Sequence, residues 1–164
     1  MATVLELCEA GKLTKLDPCL DHRTMETRLW YVSPRLEAWL SNDLPKLGSS
    51  WNIEISPQEQ LAVLVEEYAK GEFLSFQRSF HPIRHVGGGV WMMKTADLRI
   101  FGWFWKRDHF IGHCADLAER VKLIPLYHGY AGDVVRFREA IELDEPKFIA
   151  GVDPNDVISN FSYP

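Results

Sequence analysis

Three apolar, aromatic-rich runs of strand length lie close together in the middle of the chain and constrain its fold more than any other feature. They are Val90–Lys94 (VWMMK), Leu98–Lys106 (LRIFGWFWK) and His109–Cys114 (HFIGHC). Thr-Ala-Asp separates the first two runs and Arg-Asp the last two, and connections this short join antiparallel neighbours. The sequence therefore predicts a three-stranded antiparallel meander.

The middle run indicates a sheet that is covered on both faces. Its side chains form two alternating sets, one of Leu98, Ile100, Gly102 and Phe104 and the other of Arg99, Phe101, Trp103 and Trp105. Alternate residues of a strand point to opposite faces, and both sets are largely apolar. Arg99 is a cation on an otherwise aromatic face, so its guanidinium needs a partner or contact with water.

One strand and two helices are predicted before the meander. Arg28–Val32 (RLWYV) is a β-branched and aromatic run typical of a strand, and Ser33-Pro34 both ends it and starts a helix that reaches Asn42. Ser56-Pro57-Gln58-Glu59 is a capping box with proline in the first helical position. An amphipathic stretch follows, and Gly71 ends it.

The residues after the meander predict a short helix in Ala115–Leu123 and a closing helix in Asp133–Leu143. The predicted fold class is therefore α+β, with a small antiparallel sheet made of the meander and the N-terminal strand, packed with two N-terminal helices and a C-terminal helix. We expect residues 28–143 to form the domain. Residues 1–27 should form an N-terminal arm of low local stability, and residues 144–164 a mostly irregular tail that packs on the domain.

Composition places the chain among soluble globular proteins. It has 164 residues, of which 46% are apolar and 25% charged, enough for one domain with an ordinary core. No run approaches the ~20 apolar residues of a membrane span, and the first residues lack the pattern of a secretory signal, so we expect a cytoplasmic protein with no membrane partner. Cys8, Cys19 and Cys114 are scattered, which favours reduced thiols over a disulfide framework or a cysteine-based zinc site.

Charge is distributed unevenly along the chain. The net charge is −5, but residues 76–138 hold ten Lys and Arg against five Asp and Glu, whereas the flanks hold eight against eighteen. A basic face for an anionic partner and a solvated surface of mixed charge both fit this pattern. Nucleic acid is therefore a candidate partner even though the chain as a whole is acidic.

The meander resembles the core of a known toxin superfamily. Gly88–Lys94, Asp97–Phe104 and Phe110–Gly112 are similar to the core of the RelE/ParE superfamily, and most similar to its HigB-like, phage-derived branch. That branch has a strand ending in a basic residue, a short turn, a strand that opens with aromatic-Arg-aliphatic, and a third apolar strand before a basic helix. The resemblance implies a small α+β domain whose concave sheet face, in active members, binds messenger RNA in the ribosomal decoding site and cleaves it without a metal.

The resemblance also implies candidate site residues. Lys94 stands at the basic residue that ends the first meander strand, and Arg99 at the arginine that opens the second. Metal-free RNA cleavage needs charge stabilisation and proton transfer on one face, so we expect Arg99 to hold the phosphate, Lys94 to stabilise the developing charge and His109 or His113 to move the proton. The basic residues expected to bind RNA around this group are Arg84, Lys106, Arg107, Arg120 and Lys122. The alternative is that Arg99 is a structural ion-pair residue and the histidines are packed strand residues.

Two HxxxH spacings, His81/His85 and His109/His113, invite a metal site. On a strand, residues i and i+4 lie about 13 Å apart, which is too far to bind one ion. The loop predicted around His81 and His85 lacks an obvious third ligand. We therefore predict no metal and no other cofactor.

Two functions from different classes follow from these observations. The first is a metal-independent, ribosome-associated mRNA endoribonuclease of a toxin-antitoxin or phage system, with messenger RNA, the ribosome and an antitoxin as partners. The second is a catalytically inactive RelE-fold binding protein that engages a protein partner or forms a homodimer. Met92, where the family commonly has an acidic residue, and the few basic residues of Ala115–Arg120 are departures that favour the second.

Overall fold

A six-stranded sheet with helices on both faces forms the centre of the computed structural model, which describes residues 1–49, 53–84, 88–123 and 126–164. The strands are β1 (Thr14–Lys15), β2 (Leu29–Val32), β3 (Leu74–Ser75), β4 (Phe80–Ile83), β5 (Val90–Lys94), β6 (Leu98–Lys106), β7 (His109–Leu117) and β8 (Phe161–Ser162). The helices are α1 (Val4–Glu9), α2 (Pro34–Asn42), α3 (Pro57–Lys70), α4 (Ala118–Val121), α5 (Leu126–Ala140) and α6 (Pro154–Val157). The predicted α+β class is confirmed.

The sheet is mixed, and this corrects the prediction of a small antiparallel sheet. Its strand order is β1-β2-β7-β6-β5-β4, and the meander β5-β6-β7 is antiparallel as predicted. The N-terminal strand β2, however, pairs with β7 in parallel. Parallel neighbours need a long crossover, and the chain between β2 and β7 provides one through α2, α3 and the first strands of the meander.

Two strands of this sheet were missing from the prediction, as was a separate two-stranded parallel sheet formed by β3 and β8. The edge strand β4 pairs with β5 and contains Pro82, a residue that sheets accept mainly at their edges. The other edge strand, β1, has two residues and pairs with β2. Sequences this short, or interrupted by proline, do not show the alternation that identifies a strand.

Both faces of the sheet are buried, as the alternation in β6 predicts. Leu98, Ile100 and Phe104 pack with α2 and α3 in one core. Phe101 and Trp103 pack with α1 and α5 in a second core on the opposite face. We call these the α3 face and the α5 face of the sheet.

The two helices with strong sequence signals have the expected boundaries. The Ser33 hydroxyl accepts a hydrogen bond from the Leu36 amide at the start of α2, and the Ser56 hydroxyl accepts one from the Glu59 amide at the start of α3. Gly71 ends α3 with a φ of 79°, a left-handed conformation that glycine adopts without strain.

The predictions after the meander need correction. Residues Ala115–Leu117 continue β7 rather than starting a helix, because Leu98 and Ile100 of β6 offer them strand partners. Only Ala118–Val121 is helical there. The closing helix spans Leu126–Ala140 instead of Asp133–Leu143.

Both terminal segments contribute to the fold. The N-terminal residues predicted as an arm include helix α1, whose first turn is stabilised by a capping box between Thr3 and Glu6 and which buries Val4 and Leu7. The ammonium of Lys147, in the C-terminal tail, donates to the carbonyl oxygens of Glu139 and Ile141 at 3.1 and 2.7 Å and so satisfies the end of α5.

No helix within the four described ranges combines the length and the apolar character needed to cross a bilayer.

A buried arginine joins distant parts of the chain. The Arg28 side chain is 0% exposed, and its guanidinium donates to the carbonyl oxygens of Tyr68 and Glu72 at the end of α3 and of Ser159 in the tail, at 3.0, 2.9 and 2.5 Å. Its Nε lies 3.5 Å from the Asp108 carboxylate in the β6–β7 turn. Arg28 therefore connects the start of β2 with the end of α3, the β6–β7 turn and the C-terminal tail, all of which are distant from it in sequence.

Replacing this guanidinium is expected to destabilise the fold strongly. Arg28→Met retains most of the side-chain volume but removes the donor to the carbonyl oxygens of Tyr68, Glu72 and Ser159 and the cation beside the Asp108 carboxylate. We expect the free energy of unfolding, measured by urea denaturation, to fall by at least about 3 kcal/mol. The control Arg23→Met removes an exposed arginine and should change it by less than about 0.5 kcal/mol. Equal effects of the two substitutions would contradict this role.

Candidate functional site

Two of the predicted site residues lie opposite each other at one end of the sheet. Lys94, the last residue of β5, pairs with Arg99 near the start of β6, and Arg99 pairs in turn with Asp116 of β7. All three belong to one row across the strands. Arg99 alternates with Phe101 and Trp103, so the row lies on the α5 face.

The β5–β6 turn places the two cations, and helix α3 holds the turn. The Gln60 side-chain oxygen accepts hydrogen bonds from the Asp97 amide and the Thr95 hydroxyl, at 2.9 and 3.0 Å, and its nitrogen donates to the Asp97 carboxylate at 2.5 Å. The Arg99 guanidinium donates back to the Thr95 and Leu98 carbonyl oxygens at 2.6 and 2.8 Å. The arginine is therefore oriented by the backbone of the turn.

Positive charge is in excess at this end of the sheet. Burial lowers the pKa of Lys94, and the nearby charges of Arg99 and Lys122 lower it further. Burial also lowers the pKa of Arg99, although Asp97 raises it. Within the described part of the chain, no carboxylate pairs with the Lys94 ammonium. We call Lys94, Arg99 and Lys122 the basic cluster.

His81 adds an imidazole to the basic cluster. It lies in β4 opposite Met92, hence on the same face of the sheet as Lys94, and its side chain is half-buried. Its Nδ1 lies 3.1 Å from the Pro82 carbonyl oxygen, which can only accept, so Nδ1 carries the proton and Nε2 is left as an acceptor. Burial lowers the pKa of His81, and so do the charges of Lys94 and Arg99.

Sequence reasoning considered His81 only as half of a metal-binding pair with His85, which lies outside the described residues. Among the described residues, no group of three or more His, Cys, Asp or Glu could hold a metal ion. The position of His81 beside Lys94 depends on the pairing of β4 with β5. The one signal in the sequence that could have predicted strand β4 was the alternation of His81 with Ile83. Pro82 lies between them, and proline argues against a strand except at the edge of a sheet.

Arg120, predicted to bind RNA, is held by a buried carboxylate next to the basic cluster. The Asp116 carboxylate accepts from the Tyr130 hydroxyl at 2.6 Å and from the Leu117 amide at 2.8 Å, and it lies 3.1 Å from the Arg120 Nε. Asp116 therefore ends the row of cations on the β7 side.

His113 does not join the basic cluster. Its ring stacks on Phe137 of α5 with centroids 4.3 Å apart, and its Nδ1 lies 2.8 Å from the Ser33 hydroxyl oxygen. Ser33 donates its own proton to the His113 carbonyl, so the hydroxyl accepts from the imidazole and is not activated by it. Burial, together with the nearby charge of Arg35, lowers the pKa of His113 to about 4, although Asp133 opposes the shift. His113 therefore packs as a neutral residue that joins α2 to β7.

His109 and two of the predicted RNA-binding residues lie at the opposite end of the sheet. His109 pairs with Lys106 across the β6–β7 turn, roughly 23 Å along β6 from Arg99. Its Nδ1 donates to the Arg107 carbonyl at 2.9 Å. The Lys106 ammonium lies 4.7 Å from the centroid of the Trp105 ring, and Arg107 donates to the Asn155 carbonyl.

The last predicted residue, Arg84, is also distant from the basic cluster. It follows Ile83, which pairs with Val90 at the end of β5 opposite to Lys94. The structure thus brings together Lys94, Arg99 and Lys122 of the predicted site, adds His81 and leaves Arg120 beside them on Asp116. It separates His109, His113, Arg84, Lys106 and Arg107 from this group.

Comparison with models of protein families, with curated proteins and with solved structures finds no match for this chain. Kinship with the RelE/ParE superfamily therefore stays a prediction from the meander motif.

The buried His113 predicts a component of acid instability. Its pKa is lowered from 6.5 to about 4 in the folded protein, so between these values the unfolded chain binds more protons and the folded state loses stability as pH falls. From pH 7 to pH 4 this loss is roughly 3 kcal/mol for the single group. His113→Asn keeps a donor for Ser33 but does not titrate, so urea denaturation should show a smaller pH dependence in the variant. Identical pH dependence in the two proteins would contradict the assignment.

Proposed function

We propose that this chain binds the phosphate backbone of single-stranded RNA at the basic cluster and cleaves it without a metal. The observation that carries the proposal is the half-buried Lys94 ammonium, which has Arg99 and Lys122 as charged neighbours. Like charges in a half-buried site raise the free energy of the folded protein. A bound phosphate would reverse this cost and would favour the charged form of Lys94.

The site has the groups that cleavage next to a 2′-hydroxyl requires. His81 Nε2 takes the proton of the 2′-hydroxyl, whose oxygen attacks phosphorus and forms a 2′,3′-cyclic phosphate. The bond from phosphorus to the 5′-oxygen breaks, and the Lys94 ammonium, with its lowered pKa, gives the leaving oxygen a proton. Arg99 holds the non-bridging oxygens, where negative charge develops.

The family resemblance supports the same site. Lys94 and Arg99 are the two residues that match the HigB-like motif, and they are direct neighbours across β5 and β6. We extend the proposal to messenger RNA on the ribosome, as in a toxin-antitoxin or phage system. The proton-transfer role passes from His109 or His113 to His81, because neither of the first two lies beside Lys94 and Arg99.

RNA binding should depend on the basic cluster and not on the opposite end of the sheet. The double variant Lys94→Gln, Arg99→Gln should bind a fluorescein-labelled oligouridylate at least about tenfold more weakly in fluorescence anisotropy. The slope of the logarithm of the binding constant against the logarithm of the salt concentration should become shallower by about one unit. The matched double variant Lys106→Gln, Arg107→Gln removes the same charge from the β6–β7 turn and should stay within about twofold of wild type. Equal losses of RNA affinity in the two double variants would show that RNA binds through net charge alone and would contradict the proposed site.

Cleavage should depend on His81. His81→Asn should keep RNA affinity within about threefold but lower the cleavage rate of ribosome-bound message, measured by primer extension in a translation extract, at least about 100-fold. His109→Asn is the matched control and should retain the wild-type rate, and the products should end in a 2′,3′-cyclic phosphate. If wild type leaves translated messages uncut and does not arrest growth, the ribonuclease proposal fails and a non-enzymatic binding protein becomes the better hypothesis.

A further inference from the structure

A cleft of about 480 Å³ lies beside the basic cluster, between helix α2 and the end of β7. Asp116 lines this cleft, and the same residue is the cross-strand partner of Arg99. Opposite residues on antiparallel strands have Cα atoms about 5 Å apart, so the cleft begins within the length of one nucleotide from Arg99. The nucleotide next to a phosphate held by Arg99 can therefore reach it.

One face of α2 presents three chemically different side chains to the cleft. Arg35, Trp39 and Asp43 follow each other at intervals of four residues, and all three line the cleft. Residues four apart are neighbours on a helix surface, and the helical backbone conformation of Asp43 continues this geometry. The face therefore has a guanidinium, an indole and a carboxylate in a row, with about 12 Å between the first and the last Cα atom.

Each of these three side chains has groups left for a ligand. The Arg35 guanidinium donates to Asp133 through Nη1 at 2.9 Å, and the side chain is 47% exposed, so further N–H groups can reach an acceptor. Trp39 packs against the core of the α3 face but is only half-buried. Asp43 is exposed, and its carboxylate does not cap the helical turn of Leu44–Lys46 that follows it.

The charges along the cleft favour a neutral occupant. Two arginines, Arg35 and Arg120, and two aspartates, Asp43 and Asp116, line it. Arg120 and Asp116 already pair with each other at 3.1 Å. A phosphate or an acidic side chain in the cleft would meet both carboxylates, and a cation would meet both guanidinium groups. An uncharged planar group with hydrogen-bond donors and acceptors of its own fits this lining better.

We propose that the cleft binds a guanine base, in the nucleotide next to the phosphate that Arg99 holds. Guanine is the one standard RNA base with two adjacent N–H donors on its Watson–Crick edge, and these match the two oxygens of the Asp43 carboxylate. Its O6 and N7 accept hydrogen bonds from a guanidinium, here that of Arg35. The base stacks on the indole of Trp39, which lies between these two residues.

This inference rests on the proposed RNA binding at the basic cluster, because a phosphate held there brings the base to the cleft. The two can nevertheless fail separately. Arg35, Trp39 and Asp43 do not belong to the basic cluster. Affinity for oligouridylate therefore reports on the basic cluster, and preference for guanosine over uridine reports on the cleft.

Fluorescence anisotropy with paired oligonucleotides tests the guanine site. An oligouridylate with one central guanosine should bind at least about tenfold more tightly than the all-uridine oligomer, and a central inosine, which lacks the 2-amino group, should lose most of this gain. Asp43→Asn should abolish the preference. The matched control Glu119→Gln removes a carboxylate from an exposed position of α4 that does not line the cleft, and it should keep the preference.

Photochemical cross-linking locates the base on the protein. With 6-thioguanosine in place of the central guanosine, ultraviolet irradiation should attach the RNA to the tryptic peptide of residues 36–46, which contains Trp39 and Asp43. An excess of the guanosine oligomer should prevent this cross-link, and the same excess of the all-uridine oligomer should be less effective.

The outcomes distinguish this inference from the proposed function. Equal affinities of the wild type for the guanosine and the all-uridine oligomers would overturn the guanine site and leave phosphate binding at the basic cluster in place. An Asp43→Asn variant that retains the preference, or a cross-link confined to other peptides, would also overturn it. If the wild type binds neither oligomer, the proposed function fails and the guanine site fails with it.

Discussion

The buried Arg28 guanidinium is the interaction on which the arrangement of the layers depends. Its acceptors belong to the C-terminal end of α3 and to the tail, and the carboxylate of Asp108 in the β6–β7 turn lies beside its Nε. Because Arg28 directly precedes β2, these bonds also place the one parallel strand of the sheet next to β7. A cation without water is stable only where such acceptors surround it, so the position of each of these segments constrains the others.

The basic cluster is held in place by helix α3 and by the β5–β6 turn. Gln60 of α3 holds the turn between Lys94 and Arg99, and the turn's own carbonyl oxygens hold the arginine. For the phosphate ligand that we propose, the two cations are positioned in advance, which lowers the entropy lost on binding. Holding like charges together works against folding, and clusters of this kind are concentrated at functional sites, which is why we place the proposed site here.

Features with local signals were predictable from the sequence. Caps at Ser33 and Ser56, the stop at Gly71 and the alternation in β6 each depend on residues within one turn or one strand, and each is confirmed. The neighbouring positions of Lys94 and Arg99 followed from the short β5–β6 connection, because a tight hairpin leaves few registers.

The features of the fold and of the site that were not predicted depend on contacts between residues far apart in sequence. The parallel pairing of β2 with β7, the extension of β7 to Leu117 and the approach of His81 to Lys94 all require the assembled sheet. The same limit explains why His109 and His113 were predicted at the site. Bulges in the β6–β7 ladder and the stacking of His113 on Phe137 have no signature in the local sequence.

The link between Arg28 and the tail also has a consequence for biosynthesis. Ser159 and Asn160, two of the acceptors of Arg28, are translated after the whole sheet and all the helices that cover it. While the ribosome is still adding these residues, the nascent chain holds a cation whose acceptors are incomplete, and the native state cannot close around it. Whatever activity the sheet supports therefore begins only after Ser159 and Asn160 have left the exit tunnel.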